Sequence, residues 1–60
     1  MADIEDIRSR LEAISEELAD MALDVLREAV EQGADKRPDL EKRLTRARTA
    51  VDKAANLLRD

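Results

Sequence analysis

The chain has 60 residues and a formal net charge of −4, and charged side chains make up 43% of it. It contains no Cys and no His, which excludes disulfide crosslinks and the usual zinc sites. It also has no aromatic residue, so any core is built from aliphatic side chains and alanine. A lone core of this size rarely stabilises a fold by more than about 3–5 kcal/mol, so we expect the chain to gain stability by oligomerisation.

The first half of the chain is predicted to form one long helix over residues 3–32. Apolar residues recur at alternating spacings of three and four, the pattern of a helix that packs along its length against other helices. The repeat comprises Ile4, Ile7, Leu11, Ile14, Leu18, Met21 and Val25. Asp3 is a candidate N-cap, and Gly33 falls where a helix commonly ends in left-handed backbone. Ala29 and Ala34 are placed for the contact of a Schellman motif.

A second helix is predicted over residues 38–59, after a polar turn at residues 33–37. Pro38 suits the first helical position because its φ is fixed and it has no N–H. The apolar repeat of this helix is Leu40, Leu44, Ala47, Val51, Ala54 and Leu58. Because the connection is short, the two helices must be antiparallel neighbours. The predicted fold class is therefore all-α, a single two-helix antiparallel hairpin.

Both helices carry more apolar surface than one partner requires. At about 100° per residue, the second half of the first helix has a second apolar face, and the second helix is widened beyond its repeat. Ile4 and Ile7 also extend past the end of the second helix, and leaving each exposed forgoes roughly 1.5–3 kcal/mol. We therefore predict that two hairpins dimerise into a four-helix bundle. The residues predicted for self-association are Ile4, Ile7, Leu11, Leu23, Val30, Ala50 and Leu57.

The two halves of the chain are oppositely charged. Residues 1–33 carry ten acids and three bases, a net charge of −7, whereas residues 34–60 carry five acids and eight bases, a net charge of +3. This asymmetry favours packing of the first helix against the second and disfavours packing of the first helix against another copy of itself. Glu12, Glu16 and Asp20 form a ladder of like charge that a basic partner would engage.

The second helix carries basic side chains away from its apolar repeat. Lys42, Arg46 and Lys53 lie within about 40° of one another, with Lys36 and Arg37 nearby in the turn. Such a face fits an acidic partner or a phosphate backbone. In architecture the predicted dimer resembles the Rop-type bundle, a resemblance that carries over no site residue. The net charge of −4 and the lack of an aromatic for base stacking weigh against nucleic acid.

No motif points to catalysis. The chain has no His or Cys to act as a base or nucleophile, and Ser9 and Ser15 are predicted to lie on the helix surface. All ionisable residues fall outside the apolar repeats, and no cofactor or metal motif occurs. We therefore predict a non-enzymatic protein–protein interaction module: an adaptor, assembly factor or regulatory subunit. The alternatives are a nucleic-acid-binding dimer and a hairpin that folds only with a different protein, as antitoxins and secretion chaperones do.

The predicted compartment is the cytoplasm. The N-terminal residues are acidic without an apolar leader region, and no window reaches the apolar length of a membrane span. Arg outnumbers Lys eight to three, a bias that a GC-rich bacterial genome produces. No polar residue within either repeat fixes the number of copies, so the sequence leaves dimer, tetramer and hetero-oligomer open.

Overall fold

The computed structural model describes residues 3–59, which form two α-helices. Helix α1 spans Ile4–Glu31, and helix α2 spans Asp39–Leu57. The helices pack side by side as a hairpin with overall dimensions of 48 × 14 × 14 Å. The prediction of an all-helical hairpin is confirmed, and each helix begins and ends within two residues of the predicted bounds.

Local hydrogen bonds close both ends of α1. At the start, the carboxylate of Asp3 accepts a hydrogen bond from the backbone N–H of Glu5 at 3.2 Å, so the predicted N-cap is confirmed. At the end, Gly33 has a φ of 81°, a conformation that a residue with a Cβ adopts only under strain. The N–H of Ala34 donates to the carbonyl of Ala29 at 2.9 Å, which forms the predicted Schellman motif. Gly33 therefore determines where the chain leaves α1.

Helix α2 begins one residue later than predicted. Pro38 is its N-cap rather than its first helical residue, because a ψ of 146° is extended backbone. The carbonyl of Pro38 accepts the first bond of the helix, from the N–H of Lys42 at 3.2 Å. Asp39 and Glu41 place negative charge in the first turn, against the positive end of the helix dipole.

The helices contact each other along positions that recur every seven residues. The buried residues are Ser15 and Ala22 on α1 and Glu41 and Ala55 on α2. Half-buried residues complete the contact: Ile7, Leu11, Leu18, Val25, Leu26, Ala29, Leu44, Val51, Ala54 and Leu58. No large side chain within residues 3–59 is fully buried. The hairpin alone therefore lacks the packed centre of an ordinary small domain.

The contact between the helices is rotated relative to the predicted apolar repeats. Ile14 and Met21 belong to the repeat predicted for α1, yet both are exposed, as is Leu40 of α2. Placing these three residues in the packed seam of the hairpin is wrong. Ile4, which is predicted to extend past the second helix, is also exposed. Small side chains such as Ala22 form the most buried part of the contact and allow close approach, whereas Ile14, Met21 and Leu40 lie beside it.

Two further predictions about polar residues are wrong. Ser15 is predicted to lie on the helix surface but is only 4% exposed. Glu41 is also buried, so the ionisable residues do not all lie outside the packed rows. Burial of both side chains is tolerated because they have polar partners: Ser15 bonds to Asp52, and Glu41 bonds to Arg37.

Candidate functional site

The helix contact divides the remaining surface of the hairpin into two flanks. In a helix, the residues just before and just after a contact residue point about 100° to either side of it. Ile14 and Met21 precede the buried Ser15 and Ala22, so they share one flank of α1. Leu23 follows Ala22 and therefore lies on the other flank.

One flank is apolar along both helices. Two antiparallel helices are related by an approximate two-fold axis that is perpendicular to the plane containing them. Positions that precede the contact residues therefore face the same side of the hairpin on α1 and on α2. We call these residues the apolar strip: Ile7, Ile14, Met21, Leu40, Ala47 and Ala54. Its large members Ile14, Met21 and Leu40 are exposed. The hairpin therefore leaves a row of aliphatic side chains in water along one side.

The two edges of the apolar strip carry opposite charge. On α1 the strip is bordered by Glu17 and Glu28, together with one cation, Arg10. On α2 it is bordered by Arg43. All four side chains are exposed. The edge on α1 is thus mainly negative and the edge on α2 positive, so each edge complements the other.

The opposite flank contains a polar network that joins the helices. The hydroxyl of Ser15 donates to Oδ1 of Asp52 at 2.5 Å and accepts from Nε of Arg48 at 3.2 Å. Arg48 Nε also lies 3.9 Å from Oδ2 of Asp52. Because Ser15 is buried, breaking these bonds would leave its hydroxyl unsatisfied. The network therefore ties the rotational setting of α1 to that of α2.

Glu41 is held by three hydrogen bonds on the same flank. Arg37 donates from Nε to Oε2 at 2.7 Å and from Nη2 to Oε1 at 3.0 Å, and the hydroxyl of Thr45 donates to Oε1 at 3.1 Å. The bonds from Arg37 lower the pKa of Glu41 below its ordinary value; burial opposes this shift, and the Thr45 bond and the charge of Arg37 reinforce it. Glu41 in turn raises the pKa of Arg37.

We expect the stability of the hairpin to depend on pH through Glu41. Its pKa is lower in the folded than in the unfolded chain, so its contribution is complete above the unfolded pKa and is lost as the pH falls through the folded pKa. Between about pH 7 and pH 3, the free energy of unfolding should fall more in the wild type than in Glu41→Gln. Urea unfolding at one chain concentration, followed by circular dichroism, measures both losses. Equal losses would contradict this role of Glu41.

An open groove of about 220 Å³ lies between the helices on this flank. The groove is lined by Ala19, Ala22, Leu23 and Leu26 of α1 and by Glu41, Thr45 and Arg48 of α2. Its α1 wall is therefore apolar and its α2 wall polar. Val30 is exposed on the same flank, one heptad after Leu23.

The residues predicted for self-association do not share one surface. Leu23 and Val30 lie on the flank of the groove, whereas Ile7 belongs to the apolar strip. The others lie in the helix contact or on the remaining exposed surface: Ile4, Leu11, Ala50 and Leu57. Sequence reasoning assigns Ile14 and Met21 to the contact within the hairpin and so misses the strip. The available signal was the row of small residues that directly follows them, which includes Ser15 and Ala22.

The predicted charged faces lie at the surface. Six of their side chains are exposed: Glu12, Glu16, Asp20, Lys42, Arg46 and Lys53. The ion pairs within residues 3–59 include none of these six. Lys36 is exposed in the turn, whereas Arg37, predicted for the same basic face, is bound to Glu41.

Within residues 3–59 no three potential metal ligands cluster together, and neither helix has an apolar stretch long enough to cross a membrane. The chain matches no protein-family model, and comparisons with curated proteins and with solved structures gave no significant match.

Proposed function

We propose that the chain is a non-enzymatic protein–protein interaction module whose core is completed by a second copy. The apolar strip carries this proposal. Full burial of an aliphatic side chain contributes roughly 1.5–3 kcal/mol, and about half of that remains to be gained at Ile14, Met21 and Leu40. A second copy presents the same strip, and identical strips pack face to face across a two-fold axis.

The surface area of the hairpin supports this assembly. The chain exposes 5030 Å², whereas a folded monomer of 60 residues exposes about 4,000 Å². The excess of about 1,000 Å² is similar to the roughly 800 Å² that each partner buries in a standard interface. The rod shape of the hairpin contributes to this excess, and pairing two rods along their length reduces it.

Charge favours one arrangement of the two copies. If the two-fold axis runs parallel to the helices, α1 of each copy packs against α2 of the other. The mainly negative edge of α1 then meets the positive edge of α2 in both halves of the interface. An arrangement that places α1 against α1 would bring like charges together. We therefore propose an antiparallel four-helix bundle with its two-fold axis along the bundle.

Such a bundle acts through its outer surface, as an adaptor, assembly factor or regulatory subunit does. After a second copy covers the apolar strip, the acidic Glu12, Glu16 and Asp20 still face outward, as do the basic Lys42 and Lys53. The net charge of −4 and the lack of aromatics favour a protein partner over nucleic acid.

Light scattering combined with circular dichroism over a concentration series tests the proposal. We expect a helical protein of twice the chain mass, with a Tm that rises with concentration because dissociation and unfolding are coupled. Mass detection needs refractive index, since the chain has no aromatic chromophore. A helical monomer whose Tm is independent of concentration would refute the proposal. A poorly helical monomer would assign the apolar strip to a different protein.

A further inference from the structure

We infer that the two copies of the proposed bundle pair by the size of their side chains. Ile14 of each copy packs against Ala54 of the other, and Met21 of each copy packs against Ala47 of the other. These four residues then determine which chains associate and in which orientation. The inference rests on the proposed function and adds which residues meet across the interface. It depends on side-chain volume and on height along the helices, not on charge.

The two rows of the apolar strip differ in size. On α1 the exposed members Ile14 and Met21 are large and lie seven residues apart. On α2 the members Ala47 and Ala54 are small and also lie seven residues apart. Because seven residues span about 10.5 Å of helix, the large row and the small row have the same spacing. The row on one helix can therefore fit against the row on the other.

The bond between Ser15 and Asp52 gives the relative heights of the two rows. Ile14 is displaced from Ser15 by one position toward the end of the hairpin opposite the turn. Ala54 is displaced from Asp52 by two positions in the same direction. At 1.5 Å per residue, Ile14 and Ala54 therefore lie at the same height to within about 1.5 Å. The same holds one heptad nearer the turn, for the next residues of the two rows.

A two-fold axis parallel to the helices preserves these heights, because rotation about it moves no residue along the helices. Ile14 of one copy then lies level with Ala54 of the second copy, on the helix that it faces across the interface. Met21 lies level with Ala47 of the second copy in the same way. By symmetry each contact occurs twice. A large side chain against a small one at every height fills an interface between helices without voids or overlap.

An arrangement with α1 against α1 would fill the interface unevenly. It would place the row of Ile14 and Met21 against the same row, and the row of Ala47 and Ala54 against the same row. Large side chains keep helices apart, whereas alanine contacts require close approach. Two hairpins cannot meet both conditions over one flat interface. The difference in size therefore favours the same two-fold axis as the charged edges, by an independent argument.

The part of the strip nearest the turn follows the same rule. Leu40 continues the α2 row seven residues before Ala47, and about half of its surface is exposed. The α1 residue at its height is Glu28, which lies at the border of the strip. No large aliphatic side chain of α1 therefore opposes Leu40, and it is the large residue at its height.

Exchanging one large and one small residue tests the inference. Met21→Ala leaves two voids in the dimer, and Ala47→Met crowds the same two contacts. Both positions are exposed in the hairpin, so neither change disturbs the contact between α1 and α2. We expect the dissociation constant of each variant alone, from light scattering over a concentration series, to rise at least about tenfold. Ala13→Met makes the same change at an exposed alanine outside the strip and should alter the constant less than about threefold.

An equimolar mixture of Met21→Ala and Ala47→Met gives the sharper result. In the mixed dimer both contacts again pair Met with Ala, so its dissociation constant should lie within about threefold of the wild-type value. If the two homodimers are about tenfold weaker, mixed dimers make up about nine-tenths of all dimers, compared with about half for random pairing. Native mass spectrometry measures this share, because the two chains differ in mass.

Two results would overturn the pairing by size: a mixed dimer at its random share, or equal effects of Ala47→Met and Ala13→Met. Tighter association of Met21→Ala would also overturn it and would place α1 against α1. The wild type separates these failures from failure of the proposed function. A dimeric wild type with random mixing of the variants refutes only the pairing by size, whereas a monomeric wild type refutes both proposals.

Discussion

Ile14→Asp is expected to separate the proposed four-helix bundle into monomers, whereas Leu23→Asp is expected to leave it a dimer. The two side chains are closely matched, since Ile14 is 44% exposed in the hairpin and Leu23 is 46% exposed. They differ in their position, because Ile14 belongs to the apolar strip and Leu23 lines the groove. In the proposed bundle, only the carboxylate at position 14 becomes buried between two copies, where an unpaired charge costs several kcal/mol.

Mass and melting together measure this difference. We expect the dissociation constant of Ile14→Asp to rise by at least about a thousandfold, equivalent to about 4 kcal/mol, with loss of the concentration dependence of Tm. Leu23→Asp should keep both the mass and the concentration-dependent melting of the wild type. The opposite result would place the second copy on the groove. Leu23 is among the residues that the sequence predicts for self-association. Comparing the two variants therefore also shows whether a second copy binds at Leu23 or at the apolar strip.

Enlarging Ala22 to Leu is expected to destabilise the hairpin by about 1–3 kcal/mol. Ala22 is buried where α1 meets α2. A larger side chain there pushes the helices apart or adopts a strained rotamer, and separation of the helices also strains the bond between Ser15 and Asp52 two turns away. No large side chain is fully buried within residues 3–59, so the loss is a large fraction of the total stability.

Ala13→Leu is the matched control for Ala22→Leu. Ala13 is exposed on the same helix, and both Ala and Leu favour helix, so the control should change the free energy of unfolding by less than about 0.5 kcal/mol. Urea unfolding at one fixed chain concentration, followed by circular dichroism, compares the two variants with the wild type. Wild-type stability in Ala22→Leu would contradict close packing of the helices at this position.

The ends of α1 are predictable from sequence because they depend on nearby residues. Asp3 caps the helix through a bond to a residue two positions away, and Gly33 ends it because left-handed backbone favours glycine. The all-helical hairpin follows from the spacing of the apolar residues and the short connection between the helices. None of these features requires knowledge of which sides of the helices meet.

The rotation of the helix contact is not predictable from apolar spacing. Met21 and Ala22 are neighbours, and a wide apolar surface allows either of them to face α2. Packing favours the small Ala22, and the network of Ser15, Arg48 and Asp52 fixes the same rotation. Such a network joins residues more than thirty positions apart, so no local pattern reveals it.

The candidate surfaces are predictable in part. The acidic face of Glu12, Glu16 and Asp20 follows from helical periodicity, and the structure places all three at the surface. The burial of Glu41 is harder to predict, because it depends on which side of α2 meets α1. Its pairing with Arg37, four positions earlier, is a spacing that local reasoning can recognise.

The lack of a large buried side chain also affects how long a single copy survives in a cell. Ala22 and Ala55 are the buried apolar residues of the part that the structure describes, so little free energy opposes separation of the two helices. Proteases cleave chains in such opened states, and association with another copy lowers the population of those states. Under the proposed function, the lifetime of the chain rises with its own abundance, and copies that find no partner are degraded without a dedicated signal.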